Sequence, residues 1–122
     1  MSLNLLVEDN DKTLKLLRNV LQHKGYETVE AMTGLNGSRL ALERMFDVVL
    51  MGIQLPDIDG ITALARLRAD PATQKIPVIA VSASVIAMSQ RIIASRFDAY
   101  IIKPINVKNV IATVEKCSGK RG

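Results

Sequence analysis

Short apolar runs alternate along the chain with longer segments in which apolar residues recur at helical spacing. The apolar runs predict strands over residues 3–7, 47–51, 77–81 and 99–102, and an alternating pattern with Thr28 and Val29 predicts a strand over residues 27–31. The intervening periodicity predicts helices over roughly residues 11–24, 35–45, 61–69, 85–95 and 107–117. Strands and helices that alternate with short connections indicate a parallel sheet covered on both faces.

Local signals support the predicted boundaries. Asn10 and Asn106 stand where a side chain can accept a hydrogen bond from a helix N-terminus. Gly25 provides the left-handed residue that commonly ends a helix. Gly37 lies inside a predicted helix, where glycine costs about 1 kcal/mol relative to alanine. We expect close packing of that helix against the sheet to explain this glycine.

The right-handed crossovers of parallel strands restrict the topology to a doubly wound sheet. In such folds the functional site lies beyond the carboxyl ends of the strands, so the residues that follow each strand are the candidates. Glu8 and Asp9 follow the first strand, Gly52 the third, Ser82 the fourth and Lys103 the fifth. Two acids, a hydroxyl and a cation are therefore predicted to converge on one pocket.

This set of groups suits phosphoryl chemistry. Adjacent carboxylates are oxygen ligands for Mg²⁺, which takes one or two carboxylates and keeps several waters. A lysine can offset the charge of a phosphoryl oxygen, and a hydroxyl can donate a hydrogen bond to another. Glu8 and Asp9 alone could be an ordinary acidic loop, and Lys103 alone a surface lysine. Their common placement at strand ends favours a phosphoryl-handling site.

With these residues the chain resembles the receiver domain of two-component response regulators over essentially its whole length. The resemblance is carried by residues 7–10, 50–60, 81–83 and 99–104. It implies an α/β flavodoxin-like (βα)5 fold, a doubly wound parallel sheet with strand order 2-1-3-4-5. We expect a single receiver domain over residues 1–122, with flexible ends at 1–2 and 118–122.

The resemblance also implies roles for individual residues. Asp9 would bind Mg²⁺ directly, Glu8 would bind it through water, and the backbone carbonyl of Gln54 would be a further ligand. Ser82 would take the position of the switch hydroxyl, Tyr100 that of the switch aromatic and Lys103 that of the phosphoryl-binding lysine. The peptide bond between Lys103 and Pro104 is expected to be cis, as the resemblance implies.

Gly52 departs from the family pattern, because it occupies the position of the phosphoacceptor aspartate. Glycine has no carboxylate to attack a phosphodonor, so we expect no catalytic residue, no enzymatic activity and weakened Mg²⁺ binding. Lys103 loses an ion partner and is expected to turn to Asp9. A second departure is Arg96, which stands where family members commonly have a glycine. We expect no substitute acceptor among the nearby candidates Asp11, Asp47, Asp57, Asp59 and Ser82.

Composition narrows the class of protein further. The chain has 122 residues, 48% of them hydrophobic but only 3% aromatic, which fits one domain with an aliphatic core. No apolar run reaches the length of about 20 residues that spans a bilayer, and no signal peptide is evident, so we expect a cytoplasmic protein. The single Cys117 fits a reducing compartment. The net charge of +4 is concentrated after residue 91, but no nucleic-acid-binding motif accompanies it, so we expect no direct nucleic-acid binding.

Three functional hypotheses remain at this level. The first is a receiver domain that signals by protein binding without phosphorylation, with a histidine kinase, a phosphotransfer protein or an output domain as partner. The contact face would be the predicted helix 85–95, the last strand and the last helix, and a homodimer is left open. The second is a normally phosphorylatable receiver with a substituted acceptor at Gly52. The third, a flavin- or nucleotide-binding protein, is disfavoured because no Ser/Thr/Gly-rich phosphate loop follows the first strand.

Overall fold

The computed structural model describes residues 3–82 and 97–118. The helix predicted over residues 85–95 and the position of Arg96 lie outside the described residues.

Five parallel strands form the sheet. They are β1 (Leu3–Val7), β2 (Glu27–Ala31), β3 (Val48–Gly52), β4 (Val78–Ser82) and β5 (Ala99–Ile102). Their order is β2-β1-β3-β4-β5, with β1 pairing in parallel with both β2 and β3. The doubly wound topology predicted from the sequence is therefore confirmed. β1, β3, β4 and β5 direct their carboxyl ends to the same edge.

Four helices are described: α1 (Asp11–His23), α2 (Gly34–Glu43), α3 (Gly60–Ala69) and α4 (Val107–Ser118). Asn10 caps α1, because its side chain accepts a hydrogen bond from the Thr13 N–H at 3.0 Å. Asn106 caps α4 in the same way, through the Asn109 N–H at 3.1 Å. Gly25 has a φ of 93°, as expected for the residue that ends the turn after α1.

The sheet separates two aliphatic cores. One face packs against α2 and α3 and includes Leu5, Val49 and Leu64. The other face packs against α1 and α4 and includes Leu6 and Leu50. Consecutive residues of β1 and β3 thus point to opposite cores, and this explains why β3 is apolar throughout and β1 is apolar except for the buried Asn4.

The packing of α2 on β1 explains Gly37. A Cβ at this position would lie 2.6 Å from Cγ2 of the buried Val7 side chain. Such a distance is far inside van der Waals contact, so only glycine lets the helix approach this closely. The close packing expected from the sequence is confirmed.

Some boundaries differ from the prediction. α2 ends at Glu43 rather than Met45, because Arg44 is already extended and the chain turns to bury Phe46. β3 and β4 each end one residue later than predicted, so Gly52 and Ser82 belong to the strands themselves. α4 includes Ser118, which the sequence analysis assigned to the flexible end.

Candidate functional site

The carboxyl ends of β1, β3, β4 and β5 open into a cavity of about 760 Å³. Glu8 and Asp9 follow β1, Gln54 lies two residues after β3, and Lys103 follows β5. The lining is Glu8, Asp9, Asn10, Asp11, Ile53, Gln54, Val81, Ser82 and Lys103. The structure therefore brings together the two acids, the hydroxyl and the lysine that the sequence analysis placed at strand ends.

Glu8 is the buried acid of the pair, at 4% exposure, whereas Asp9 is exposed. Its Oε2 accepts a hydrogen bond from the Asn10 N–H at 3.2 Å. Its Oε1 accepts no hydrogen bond from the described residues and lies 3.3 Å from Lys103 Nζ. The expectation that Lys103 turns to Asp9 is wrong. A buried carboxylate needs a counter-charge, whereas the carboxylate of Asp9 is exposed to solvent, so the ammonium lies beside Glu8.

Gly52 is the last residue of β3 and is buried, with Val81 as its register partner on β4. Gly25 is the only glycine with positive φ in the described residues, so the backbone of Gly52 suits any amino acid. A Cβ at this position would lie 3.3 Å from the Val7 carbonyl oxygen and 3.4 Å from Glu8 Oε2. The neighbours would need to move by only a few tenths of an ångström. Neither conformation nor packing therefore requires glycine here.

The loop between β3 and α3 is held firmly beside the cavity. Its Asp57 carboxylate accepts hydrogen bonds from the N–H groups of Gly34 and Leu35, each at 2.8 Å. The Gly60 N–H donates to the Ile53 carbonyl at 2.8 Å and closes the loop. Desolvation raises the pKa of Asp57, but the backbone hydrogen bonds outweigh it and the pKa is lowered.

Sequence reasoning missed this role of Asp57. In the sequence, Asp57 was considered only as a substitute phosphoacceptor. In the structure its side chain lies in another loop and caps the N-terminus of α2. The donors lie 22 and 23 residues earlier in the chain, so no local pattern could reveal the contact.

β4 and β5 position the remaining candidates. Ser82 ends β4 and is 1% exposed, and its carbonyl accepts a hydrogen bond from the Lys103 N–H at 2.8 Å. Tyr100 lies on β5, half-buried, with its ring edge-to-face to Phe97 at a centroid distance of 6.1 Å. The peptide bond between Lys103 and Pro104 is cis.

The donor chemistry of the cavity fits a hard cation with few protein ligands. Asp9 offers an exposed carboxylate, Glu8 a second carboxylate, and both line the same cavity as Gln54. No group of three or more metal-ligating His, Cys, Asp or Glu residues occurs within residues 3–82 and 97–118. Mg²⁺ tolerates such a sparse set because it retains several waters. Over the same part of the chain, no helix is both long and apolar enough to cross a membrane.

The parallel 2-1-3-4-5 sheet and the acid–lysine cavity at its carboxyl edge define an α/β domain of the flavodoxin-like fold. Residues 5–115 match the family model described as the response regulator receiver domain. The chain belongs to this family, and it is a receiver domain of two-component signalling.

Curated relatives include the polar-differentiation response regulators DivK of Brucella ovis and of Brucella abortus (strain 2308). Each is 39% identical to this chain over 116 residues, which cover 94% of both chains.

Solved structures agree with the fold. The receiver domain of the sensor histidine kinase PA1611 from Pseudomonas aeruginosa PAO1, with a magnesium ion coordinated in its active site cleft, gives a TM-score of 0.91 at 25% identity. The match covers 97% of this chain and 98% of that one. The CheY-like receiver domain protein from Methanospirillum hungatei JF-1 gives a TM-score of 0.86 at 24% identity, over 99% and 96% of the two chains.

Proposed function

We propose that this receiver domain signals by binding other proteins and is not itself phosphorylated at residue 52. The observation that carries the proposal is the residue at the end of β3. Glu8, Ser82 and Lys103 line one cavity, yet the adjacent strand ends in Gly52, which has no nucleophile. An acyl phosphate requires an attacking carboxylate, and glycine has none.

Mg²⁺ would be held by Asp9 directly, by Glu8 through water and by the backbone carbonyl of Gln54. Bound there, the cation would neutralise charge on a phosphoryl group. Ser82 and Lys103 would bind phosphoryl oxygens, and Tyr100 would act as the switch aromatic. The affinity for Mg²⁺ is reduced because position 52 contributes no carboxylate. The ion pair between Lys103 and Glu8 reduces it further, because it engages one of the two acids.

The partner is a histidine kinase, a phosphotransfer protein or an output domain, bound in the cytoplasm by the single domain over residues 1–122. The contact face consists of the predicted helix over residues 85–95, β5 and α4. This part of the chain carries most of the basic excess, which supports contact with an acidic surface.

A second candidate function has its own supporting observation. The surroundings of Gly52 accept a Cβ with contacts of 3.3–3.4 Å, and the acids, hydroxyl and lysine of the cavity are all in place. These features favour a phosphorylatable receiver whose acceptor has been replaced. In that case the function of the parent protein is phosphorelay, and this chain is a form that cannot take part in it.

Both candidates are tested by incubating the protein with acetyl phosphate and Mg²⁺ and measuring its intact mass. We expect no phosphoryl adduct on the native chain, and a stable adduct would overturn the first proposal. The Gly52→Asp variant restores the carboxylate, and Gly52→Asn is its matched control, with nearly the same shape but no nucleophile. An adduct on Gly52→Asp alone supports the second candidate. Its absence in a variant with a native circular dichroism spectrum contradicts that candidate.

A further inference from the structure

A second cavity, of about 470 Å³, lies between α2 and α3, on the face of the sheet opposite α1 and α4. We call it the α2–α3 groove. Leu35 and Leu42 of α2 line one side, seven residues apart and therefore on the same face of the helix. Leu67 and Thr73 are almost fully buried and line its inner part. The volume lies in the range of about 300–1,000 Å³ typical of binding pockets.

Four of the six large hydrophobic side chains that are exposed in the described residues belong to α2 or lie within two residues of its ends. Leu35 is 46% exposed and Leu42 is 53% exposed. Met32 and Met45, just beyond the two ends of α2, are 48% and 79% exposed. Only two other large hydrophobic side chains are exposed in the described part of the chain, Leu16 and Val107. Clustering of this kind marks an interaction surface, whereas isolated exposed hydrophobics do not.

The charged residues that line the groove carry a net positive charge. Arg39 and Arg66 line it from the two helices, against the single acid Asp70. Arg39 pairs with Glu43 at 2.7 Å, but both side chains are at least half exposed, and such pairs contribute little and exchange readily. Arg66 forms no ion pair with any residue in 3–82 or 97–118, so its charge is available to a ligand.

We propose that the α2–α3 groove binds an amphipathic helical segment of a partner protein, with aliphatic side chains flanked by carboxylates. The aliphatic row would lie between Leu35 and Leu42, and the carboxylates would pair with Arg39 and Arg66. A second copy of this chain fits less well. A two-fold symmetric contact sets the same patch against itself and brings like charges together.

The groove is connected to the strand-end cavity by a hydrogen bond between α2 and the loop that follows β3. The Asp57 carboxylate holds the N–H of Leu35 at 2.8 Å, and Asp57 belongs to the same loop as Gln54, which lines that cavity. The α2–α3 groove is nevertheless separate from the face of β5 and α4 assigned above, so its occupation can be tested independently of the proposed function.

The test uses two synthetic helical peptides with an identical leucine row, one flanked by glutamates and the other by lysines at the same positions. Each is titrated into the ¹⁵N-labelled full chain, and amide chemical shifts and affinity are measured. We expect the glutamate peptide to shift resonances of residues 34–43 and 66–73, and to bind about tenfold more tightly than the lysine peptide. The Arg39→Gln/Arg66→Gln double variant should remove this preference.

Leu42→Ser should weaken binding of the glutamate peptide, whereas Leu16→Ser, an equivalent change on α1, should not. Unchanged unfolding midpoints for both variants separate lost contact from lost folding. The proposal is overturned by absence of shifts with the glutamate peptide at about 1 mM, where a site with a Kd of about 1 mM or tighter would be at least half occupied. Equal binding of both peptides, or shifts centred elsewhere, also overturns it. Concentration-dependent dimerisation abolished by Leu42→Ser overturns it in favour of a second copy.

Discussion

Replacing Gly60 with alanine places a methyl group against the backbone at the end of β3. The added Cβ would overlap the Gly52 carbonyl oxygen and lie 3.0 Å from Ile53 Cα. Backbone atoms in a paired strand cannot rotate away as a side chain can. Overpacking costs about 1–3 kcal/mol in well-packed interiors. The expected loss is in the upper part of this range, about 2–3 kcal/mol.

The matched change is Gly52→Ala, at the residue whose carbonyl the added methyl group of Gly60→Ala would meet. Its Cβ meets its closest neighbour, the Val7 carbonyl oxygen, at 3.3 Å. Alanine in a strand is favoured over glycine by about 0.5–1 kcal/mol, which offsets the small adjustment. We therefore expect the stability of this variant to lie within about 1 kcal/mol of the native value.

Urea denaturation followed by far-UV circular dichroism measures both free energies of unfolding. For a chain of this length the Gly60→Ala variant should also melt about 8–15 °C lower. The reasoning is refuted if Gly60→Ala is as stable as the native protein, or if Gly52→Ala is destabilised as much as Gly60→Ala.

Four further predictions concern charged groups. Lys103→Met should lower the free energy of unfolding by about 1–2 kcal/mol, less than for a fully buried pair because Lys103 is 28% exposed. Adding Glu8→Gln to this variant should restore part of the loss, as measured by urea titration. If the double variant shows no recovery, the ion pair between Lys103 and Glu8 is contradicted. Asp98→Asn should lower the free energy of unfolding by about 1–2 kcal/mol, because it weakens the hydrogen bonds that the Asp98 carboxylate accepts from the Val78 N–H at 2.7 Å and from Arg68 at 2.8 Å. An unchanged melting temperature would contradict this prediction. The pKa of Asp57 is lowered in the folded protein, so its carboxylate contributes stability above the unfolded-state pKa near 3.8, and this stability is lost as the pH falls through the lower folded-state pKa. Below pH 3.8 the urea midpoint of Asp57→Asn should therefore depend less on pH than the midpoint of the native protein. Equal pH dependence of the two midpoints would refute this. Mg²⁺ should raise the melting temperature of Gly52→Asp more than that of Gly52→Asn, and equal shifts would show that the added carboxylate does not bind the metal.

The sequence predicted the fold well because its signals are local. The apolar run of β1, the cap residue Asn10 and the left-handed Gly25 each act within a few residues, and each was found in the predicted role. Four of the residues that line the strand-end cavity were also predictable, since topology alone brings strand ends together: Glu8, Asp9, Ser82 and Lys103.

Contacts between distant segments could not be predicted in the same way. Lys103 pairs with Glu8 because Glu8 is the buried acid of the two. The sequence does not indicate which of two adjacent acids, Glu8 or Asp9, is buried. The cap that Asp57 provides to α2 depends on how two loops meet across 22 and 23 residues. The end of α2 was placed too late because burial of Phe46 overrides the helical pattern.

Close packing explains some of the glycines of this chain but not Gly52. A Cβ would meet Ile58 at 2.5 Å from Gly34 and Val7 at 2.6 Å from Gly37, so close packing explains both glycines. Gly52 has neither a tight contact of this kind nor a left-handed backbone. The glycine at residue 52 affects the electrostatics of the cavity. Glu8 and Lys103 form an ion pair beside it, and an aspartate at residue 52 would bring another carboxylate near Glu8. Two such carboxylates repel unless a cation is added. Without a carboxylate at residue 52, Glu8 and Lys103 form their pair with no third charge at the end of β3, while Asp9 and Asp11 remain the exposed acids of the same cavity.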